Sequence, residues 1–224
     1  MTVLVMLPIK REMSGFMDGM LALGFNAPQD QIGRMPVFQI PALRLSVAQG
    51  GLGKTEFGVR AQHLIDAGPD WDLVICAGAA GGMAPRLAVG DVVIGTETVE
   101  HDINNRMGPR RVPRFSADAD AVDRFKQLDA SGLSFSLWFG PIASGDEDVV
   151  DEIRRGEVEA LTGGLAVAWE GAGGARACHF SGVPFVELRG ISDNADVEAA
   201  THFRENVPVV MRNLAALLAA FCQT

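Results

Sequence analysis

The stretch that decides the fold is "DLVICAGAAGG", residues 72–82. Asp72–Ala77 ("DLVICA") is apolar except for its first residue, and such a run is typical of a strand covered on both faces. The second half is rich in glycine, which lets the backbone turn and approach a ligand closely. In open sheets of such strands, ligands lie beyond the carboxyl ends of the strands. We therefore expect functional residues directly after each strand.

Outward from this stretch, short apolar runs alternate with helical patterns. Strands are predicted at 2–8, 38–48 (as a strand or hairpin), 72–77, 91–99, 137–143, 166–169 and 184–191. Helices are predicted at 10–23, 54–67, 118–128, 146–159, 171–180 and 206–221, the last with one apolar face. This alternation predicts one α/β domain spanning residues 1–224, with a largely parallel sheet.

The composition favours a small-molecule partner over a nucleic acid. The chain has 224 residues, 48% of them hydrophobic, and a net charge of −9. Nucleic-acid binders normally present a basic face, and only residues 106–114 are locally basic; we interpret these as a solvated loop. The wider segment Asn104–Ser116 is the best candidate for a long functional loop.

The cysteines and the apolar runs bear on the compartment. Three cysteines without metal-like spacing indicate reduced thiols in a cytoplasmic protein, and we expect no metal and no cofactor. We find neither a signal peptide nor an apolar stretch of about 18 residues, so no membrane helix is expected.

Residues 48–55, "AQGGLGKT", look like a nucleoside-triphosphate loop. That loop requires Gly-x-x-x-x-Gly-Lys-Ser/Thr, but Ala48 occupies the position of its first glycine. It also requires an aspartate at the end of a neighbouring strand to hold magnesium, whereas the strand at 72–77 ends in Cys-Ala. We therefore interpret residues 50–54 as a tight strand-to-helix turn near a ligand.

Four strand ends carry distinctive residues: Glu12, "GAAGG" (78–82), "WEGA" (169–172) and "RGISDNAD" (189–196). Together with "GGLGK" (50–54), "EHD" (100–102) and "ASGD" (143–146), they follow one another in the order found in the nucleoside phosphorylase/hydrolase superfamily. The chain resembles its methylthioadenosine/S-adenosylhomocysteine nucleosidases most. The resemblance covers nearly the whole chain and implies a three-layer sandwich with a central mixed, twisted β-sheet flanked by helices.

The resemblance implies hydrolysis of the N-glycosidic bond of a purine nucleoside. Asp193 would protonate the departing base and Glu12 would activate water. Glu170 would accept hydrogen bonds from the ribose hydroxyls, with Arg189 orienting it. From the residues alone, Asp193 and Glu170 could equally cap helices, Glu12 could be a first-turn glutamate, and Arg189 part of a structural ion pair.

The resemblance also implies the walls of the pocket. The backbone of residues 79–81 (Ala79, Ala80 and Gly81) would line the ribose, although the family has serine at position 79. Trp169 replaces a methionine beneath the ribose, and Val149, beside Asp148, falls where a phenylalanine stacks on the base. Ile9, Leu52 and Phe203 would form the pocket for the 5′-substituent, Phe203 reaching that of a neighbouring subunit in a homodimer. His101, Asp102 and His179 are interpreted as structural.

Three alternatives stay open on the sequence. A futalosine hydrolase has a segment similar to "WEGA" (169–172). A phosphate-dependent phosphorylase needs cationic donors around phosphate, and Glu12 would repel that anion. A non-catalytic nucleoside-binding protein is disfavoured because Glu12, Glu170 and Asp193 are all present. The resemblance further implies a role in methionine salvage.

Overall fold

The computed structural model describes residues 1–105, 107–108 and 112–224. These contain ten strands: β1 Val3–Leu7, β2 Gln29–Ile32, β3 Met35–Ile40, β4 Leu45–Gln49, β5 Leu73–Gly82, β6 Val92–Glu100, β7 Arg114–Ser116, β8 Leu137–Ser144, β9 Ala166–Ala168 and β10 Phe185–Asp193. They also contain six α-helices: α1 Lys10–Ala22, α2 Gly53–Ala67, α3 Ala119–Gln127, α4 Glu152–Thr162, α5 Gly171–Ser181 and α6 Ala199–Gln223.

All ten strands belong to one sheet, in the order β10-β6-β8-β9-β5-β1-β4-β3-β2, with β7 on β6. An additional pairing of β10 with β5 closes five of these strands into a ring. The prediction of a largely parallel sheet is wrong, because antiparallel pairs are as frequent as parallel ones. The mixed sheet implied by the family resemblance is confirmed.

Alternation along β1 shows how the sheet separates two helical layers. Val3, Val5 and Leu7 pack with the buried faces of α1, α3 and α6. Leu4 and Met6 point to the other side, where they pack with α2 and α5. Successive side chains of a strand point to opposite faces, so a strand buried on both faces must be apolar throughout. The result is a three-layer α/β sandwich, as the resemblance implied.

Several predicted boundaries need correction. The strand predicted at 72–77 continues to Gly82, and α6 begins at Ala199 instead of residue 206. Helix α4 begins at Glu152 instead of residue 146, because the Asp151 side chain accepts the Arg154 amide at 2.8 Å and caps it. Strands β2 and β7 were not predicted. Strand β7 occupies part of the predicted 104–116 loop; Arg106 and residues 109–111 lie outside the described residues.

Helix α6 also contradicts the expectation that no segment is long and apolar enough to cross a membrane. Within the described part of the chain it alone passes that test of length and composition. Half of its apolar window is nevertheless buried, and Val210, Leu214 and Leu218 are fully covered by the sheet and α1. A core helix of a globular protein meets the same criterion, so the observation is weak evidence for a membrane span.

Candidate active site

A cavity of about 430 Å³ lies where β1, β5, β9 and β10 end. It brings together eleven of the twelve predicted site residues: Ile9, Glu12, Leu52, Ala79, Ala80, Gly81, Val149, Trp169, Glu170, Asp193 and Phe203. The remaining one, Arg189, is fully buried behind the lining and contacts Glu170. Residues more than 190 positions apart in sequence thus share one pocket because their strands end at the same edge of the sheet.

Glu12 lies in the first turn of α1, and its side chain is turned into the protein instead of towards solvent. Its carboxylate accepts the Ala79 amide at 2.7 Å and the Ile9 amide at 3.2 Å. Burial, reinforced by the nearby charge of Glu170, raises its pKa to about 7, although both amides and Arg189 oppose the shift. A pKa near neutrality is the property that a general base needs at physiological pH.

Glu170 occupies the position that precedes α5, but its side chain makes no capping bond to that helix. Instead Oε2 accepts from Arg189 Nη2 at 3.2 Å, and Oε1 accepts from the Gly53 amide at 3.3 Å. Its interpretation as an ordinary helix cap is therefore wrong. The "GGLGK" turn (50–54) supplies one of the two groups that hold this carboxylate.

Asp193 ends β10, and its carboxylate is almost fully buried. Oδ2 accepts from Ser192 Oγ at 2.7 Å, and Oδ1 accepts from the Ala195 amide at 2.9 Å. Burial raises its pKa, against the effect of these two hydrogen bonds. Because α6 begins only at Ala199, Asp193 is not its N-cap, and that alternative is wrong.

The tight packing beside Asp193 explains a glycine in the β5 segment. Gly81 pairs with Asp193 in the sheet. A Cβ at position 81 would lie 3.0 Å from Asp193 Oδ1 and 2.9 Å from the Ala195 Cβ. A larger residue would press on Ala195 and on the carboxylate, so Gly81 serves the packing of the pocket as well as the strand.

The apolar walls surround these carboxylates. Trp169 and Ile9 are half-buried, Val149 is buried, and Leu52 is 54% exposed at the rim. The contact of Phe203 with a neighbouring subunit stays a prediction; in this chain Phe203 lines the cavity beside Asp193. The early start of α6 explains this, since it places residues 199–204 beside the end of β10.

Sequence reasoning missed part of the lining, namely Pro8, Glu147, Val150, Val167, Ala168, Ser192, Ala199, Ala200 and Arg204. Most of them belong to the start of α6 and to the segment 146–151, which was predicted as helix. The acidic cluster at 146–148 was the one sequence feature that could have drawn attention to this segment. Its acids bind other parts of the chain, since Glu147 accepts two hydrogen bonds from Arg154, at 2.6 and 2.8 Å.

Lys54, which made the glycine turn look like a phosphate loop, is committed elsewhere. Its Nζ contacts Glu100 at 3.0 Å and also Asp102, and Glu100 is paired in addition with Arg176. Lys54 does not line the cavity. Asp102 accepts the Asp146 amide at 2.8 Å, in keeping with the structural role expected for it.

Known proteins share the sequence pattern of this chain. The sequence pattern of the Phosphorylase superfamily matches residues 25–223. The chain belongs to this superfamily. A 5′-methylthioadenosine/S-adenosylhomocysteine nucleosidase from an Exiguobacterium species is 33% identical over an alignment of 186 residues that covers 80% of this chain and 79% of that protein. The resemblance stated from the sequence is thereby confirmed.

Solved structures of the superfamily agree. The Neisseria meningitidis 5′-methylthioadenosine/S-adenosylhomocysteine nucleosidase, solved with methylthio-immucillin-A, superposes with a TM-score of 0.83 at 28% identity, covering 99% of this chain and 98% of that one. The futalosine hydrolase of Helicobacter pylori superposes with a TM-score of 0.86 at 23% identity, covering 99% and 97%. The second likeness shows the fold alone.

The site contains no apparent metal centre among the residues the structure describes, where no three His, Cys, Asp or Glu side chains are grouped to hold an ion. The described lining of the cavity combines five carboxylates with apolar walls. A superfamily member with this set can donate one proton, accept another and bind hydroxyl groups.

Proposed function

We propose that the protein hydrolyses the N-glycosidic bond of a purine nucleoside of the methylthioadenosine/S-adenosylhomocysteine type. One observation carries this proposal: Glu12, Glu170 and Asp193 converge in one cavity, and burial raises the pKa of both Glu12 and Asp193. The names of the curated relatives support the same substrate class.

The reaction needs two proton transfers and a sugar held in place. Asp193, protonated, would donate to the purine as the bond to the sugar breaks, so that the base leaves uncharged. Glu12, ionised, would accept a proton from the water that attacks the oxocarbenium-like sugar. Each of these general acid and base contributions is typically worth about 10²–10⁴-fold. Glu170 would accept hydrogen bonds from the ribose 2′ and 3′ hydroxyls.

The charges of the lining favour water over phosphate as nucleophile. Of the described residues around the cavity, five are acidic and only Arg204 is basic. Arg86 is not part of the described lining; its guanidinium lies over Trp138, 5.3 Å from the ring centre. Phosphate binding relies on several convergent cationic or amide donors, and a negatively charged lining opposes it.

Futalosine hydrolysis is the nearest rival, and the fold does not separate the two. The rim of the cavity suits both substrates. Leu52 and Phe203 provide an apolar wall for the thioether of methylthioadenosine, while the open mouth leaves space for the longer substituent of futalosine. The released base distinguishes the two substrates, since methylthioadenosine yields adenine and futalosine yields hypoxanthine.

The experiment is incubation with methylthioadenosine, S-adenosylhomocysteine and futalosine, with and without phosphate, while the free base is quantified. We expect adenine release at a rate that does not depend on phosphate. Hypoxanthine release alone would establish the rival, and dependence on phosphate would replace hydrolysis by phosphorolysis. If none of the three substrates is cleaved, the enzyme proposal is wrong.

We also propose that residues 1–224 form one domain that acts as a homodimer in the cytoplasm, with a role in methionine salvage. Support for a dimer comes from Val59 of α2 and Phe180 of α5, which are 66% and 85% exposed on one face. Light scattering after gel filtration would test this, and Phe180→Ser should shift the protein to a monomer if that face is the interface.

A further inference from the structure

One buried carboxylate has no part in the proposed reaction. Glu187 lies on β10 two residues before Arg189, so both side chains point to the same face of the strand. It is 1% exposed. Its Oε1 accepts from Arg189 Nε at 2.8 Å and its Oε2 accepts from Thr98 Oγ1 at 2.6 Å. Burying a carboxylate is costly unless it is paired and hydrogen-bonded, and both conditions are met here.

The space for this carboxylate depends on a glycine next to the proposed ribose ligand. Gly171 follows Glu170 and begins α5. A Cβ at position 171 would lie 2.0 Å from Glu187 Oε2 and 2.3 Å from Oε1. Glu187, Gly171 and Glu170 therefore form one packed unit around the guanidinium of Arg189.

The contacts of Arg189 show what Glu187 does to the guanidinium. Nε is held by Glu187 at 2.8 Å, Nη1 lies 3.4 Å from the Ala79 carbonyl oxygen, and only Nη2 reaches Glu170, at 3.2 Å. An arginine paired with a single carboxylate frequently binds both of its oxygens through two parallel N–H groups. Here the firmer contact is the one to Glu187.

We propose that Glu187, fixed by Thr98, is a positioning residue that holds Arg189 away from a two-pronged contact with Glu170, so that Glu170 keeps free acceptor positions for the ribose hydroxyls. A carboxylate has about four acceptor positions. Arg189 occupies one on Oε2 and the Gly53 amide one on Oε1, which leaves one on each oxygen for two neighbouring hydroxyls. This role rests on the proposed nucleosidase function.

The test compares Glu187→Gln with the wild type on methylthioadenosine and on its 2′-deoxy analogue. Glutamine keeps the shape but loses the charge that anchors Arg189. We expect kcat/KM on the ribosyl substrate to fall about 10- to 100-fold, since a small misplacement of a binding group has effects of this size. The 2′-deoxy substrate lacks one of the hydroxyls that Glu170 would bind, so its kcat/KM should fall at least threefold less.

Asp91→Asn is the matched control. Asp91 is also a buried carboxylate, bound to Trp138 Nε1 at 2.8 Å and to the Ser136 amide at 3.0 Å, but it does not line the cavity. It should lose stability without changing the ratio of the two substrates. If Glu187→Gln misfolds, Thr98→Val provides a second test, because it removes the hydroxyl that fixes Glu187. We expect kcat/KM on the ribosyl substrate to fall about three- to tenfold, with the 2′-deoxy substrate affected less. Thr98→Ser keeps the hydroxyl and should restore the activity.

The outcomes separate the two proposals. Suppose that the wild type cleaves methylthioadenosine, but Glu187→Gln lowers kcat/KM equally on both substrates or behaves as Asp91→Asn does. The positioning role is then wrong and the proposed function stands. If the wild type cleaves no nucleoside, the proposed function itself fails. A selective loss on the ribosyl substrate supports both.

Discussion

Two clusters of charged side chains lie on either side of the "GGLGK" turn, residues 50–54. The inner cluster consists of Glu12, Glu170, Glu187 and Arg189; the outer cluster consists of Lys54, Glu100, Asp102 and Arg176. The Gly53 amide donates to Glu170 in the inner cluster, while the side chain of the next residue, Lys54, pairs with acids in the outer one. The inner cluster has three acids and one cation, whereas the outer cluster has two of each.

This difference in charge balance decides what the acids can do. In the outer cluster burial is the largest single effect and opposes ionisation of Asp102. The hydrogen bonds from Lys54 and the Asp146 amide, together with the charge of Lys54, outweigh it, so the pKa of Asp102 is lowered. In the inner cluster burial dominates, and the pKa values of both Glu12 and Glu187 are raised. A cation beside Asp102 favours its ionised form, whereas an excess of buried acids leaves a group that can exchange a proton near neutral pH.

The largest expected effect comes from Asp193, the acid next to the inner cluster. Asp193→Asn keeps the shape of the side chain but cannot donate the carboxylic proton, so we expect base release to slow about 10³-fold or more. Burst and single-turnover measurements with methylthioadenosine would quantify the loss, and substrate binding should persist. Asp66→Asn, at an exposed acid on α2 outside the cavity lining, is the control. An Asp193→Asn enzyme with full activity would remove Asp193 from its role as acid.

A second effect follows from the raised pKa of Glu12. Because Glu12 must be ionised, kcat/KM should rise with pH through a pKa of about 7, and it should fall again where Asp193 loses the proton it donates. Ionisation of Glu12 by itself contributes an increase of about 50-fold between pH 5 and pH 7, close to tenfold per pH unit at the acidic end. Initial rates at constant ionic strength would give the profile.

Glu12→Gln provides the check on that profile. Its residual activity should lack the rise near pH 7, since glutamine does not titrate. A rise that persists in this variant would assign the titration to another group, and a wild-type midpoint near the ordinary glutamate value of 4.5 would contradict the effect of burial.

The comparison also shows which features were predictable from the sequence. Glu12, residues 79–81, Glu170 and Asp193 each follow a strand or end one, so strand prediction and motif order were enough to place them together. Glu187 was not predictable, because it stands inside an apolar run and its partners Thr98 and Gly171 come from distant elements. The acids at 146–148 suggested a helix start, but Asp146 accepts the Lys54 amide at 2.8 Å instead. Tertiary contacts of this kind outweigh local patterns.

The smallest catalytic effect is expected in the outer cluster. Lys54→Met keeps the aliphatic stem but leaves Glu100 and Asp102 with Arg176 as their remaining cation. The Lys54 and Asp102 side chains are 16% and 20% exposed, so solvent screens the pair partly, and we expect a loss of about 1–3 kcal/mol in the free energy of unfolding. Base release should change less than about threefold, which is under 1 kcal/mol.

Denaturant unfolding of Lys54→Met, with Lys126→Met as the control, would measure this loss. Lys126 forms an exposed pair with Asp123 at 2.8 Å, which should contribute under about 1 kcal/mol. The pKa of Asp102 is lowered in the folded protein, so its stabilisation is present above its ordinary value of 3.8 and is lost as the pH falls through the lowered value. The difference between Lys54→Met and wild type should therefore shrink in acid. A variant that loses base release but keeps its stability would place Lys54 in the reaction, and the two clusters would no longer differ in kind.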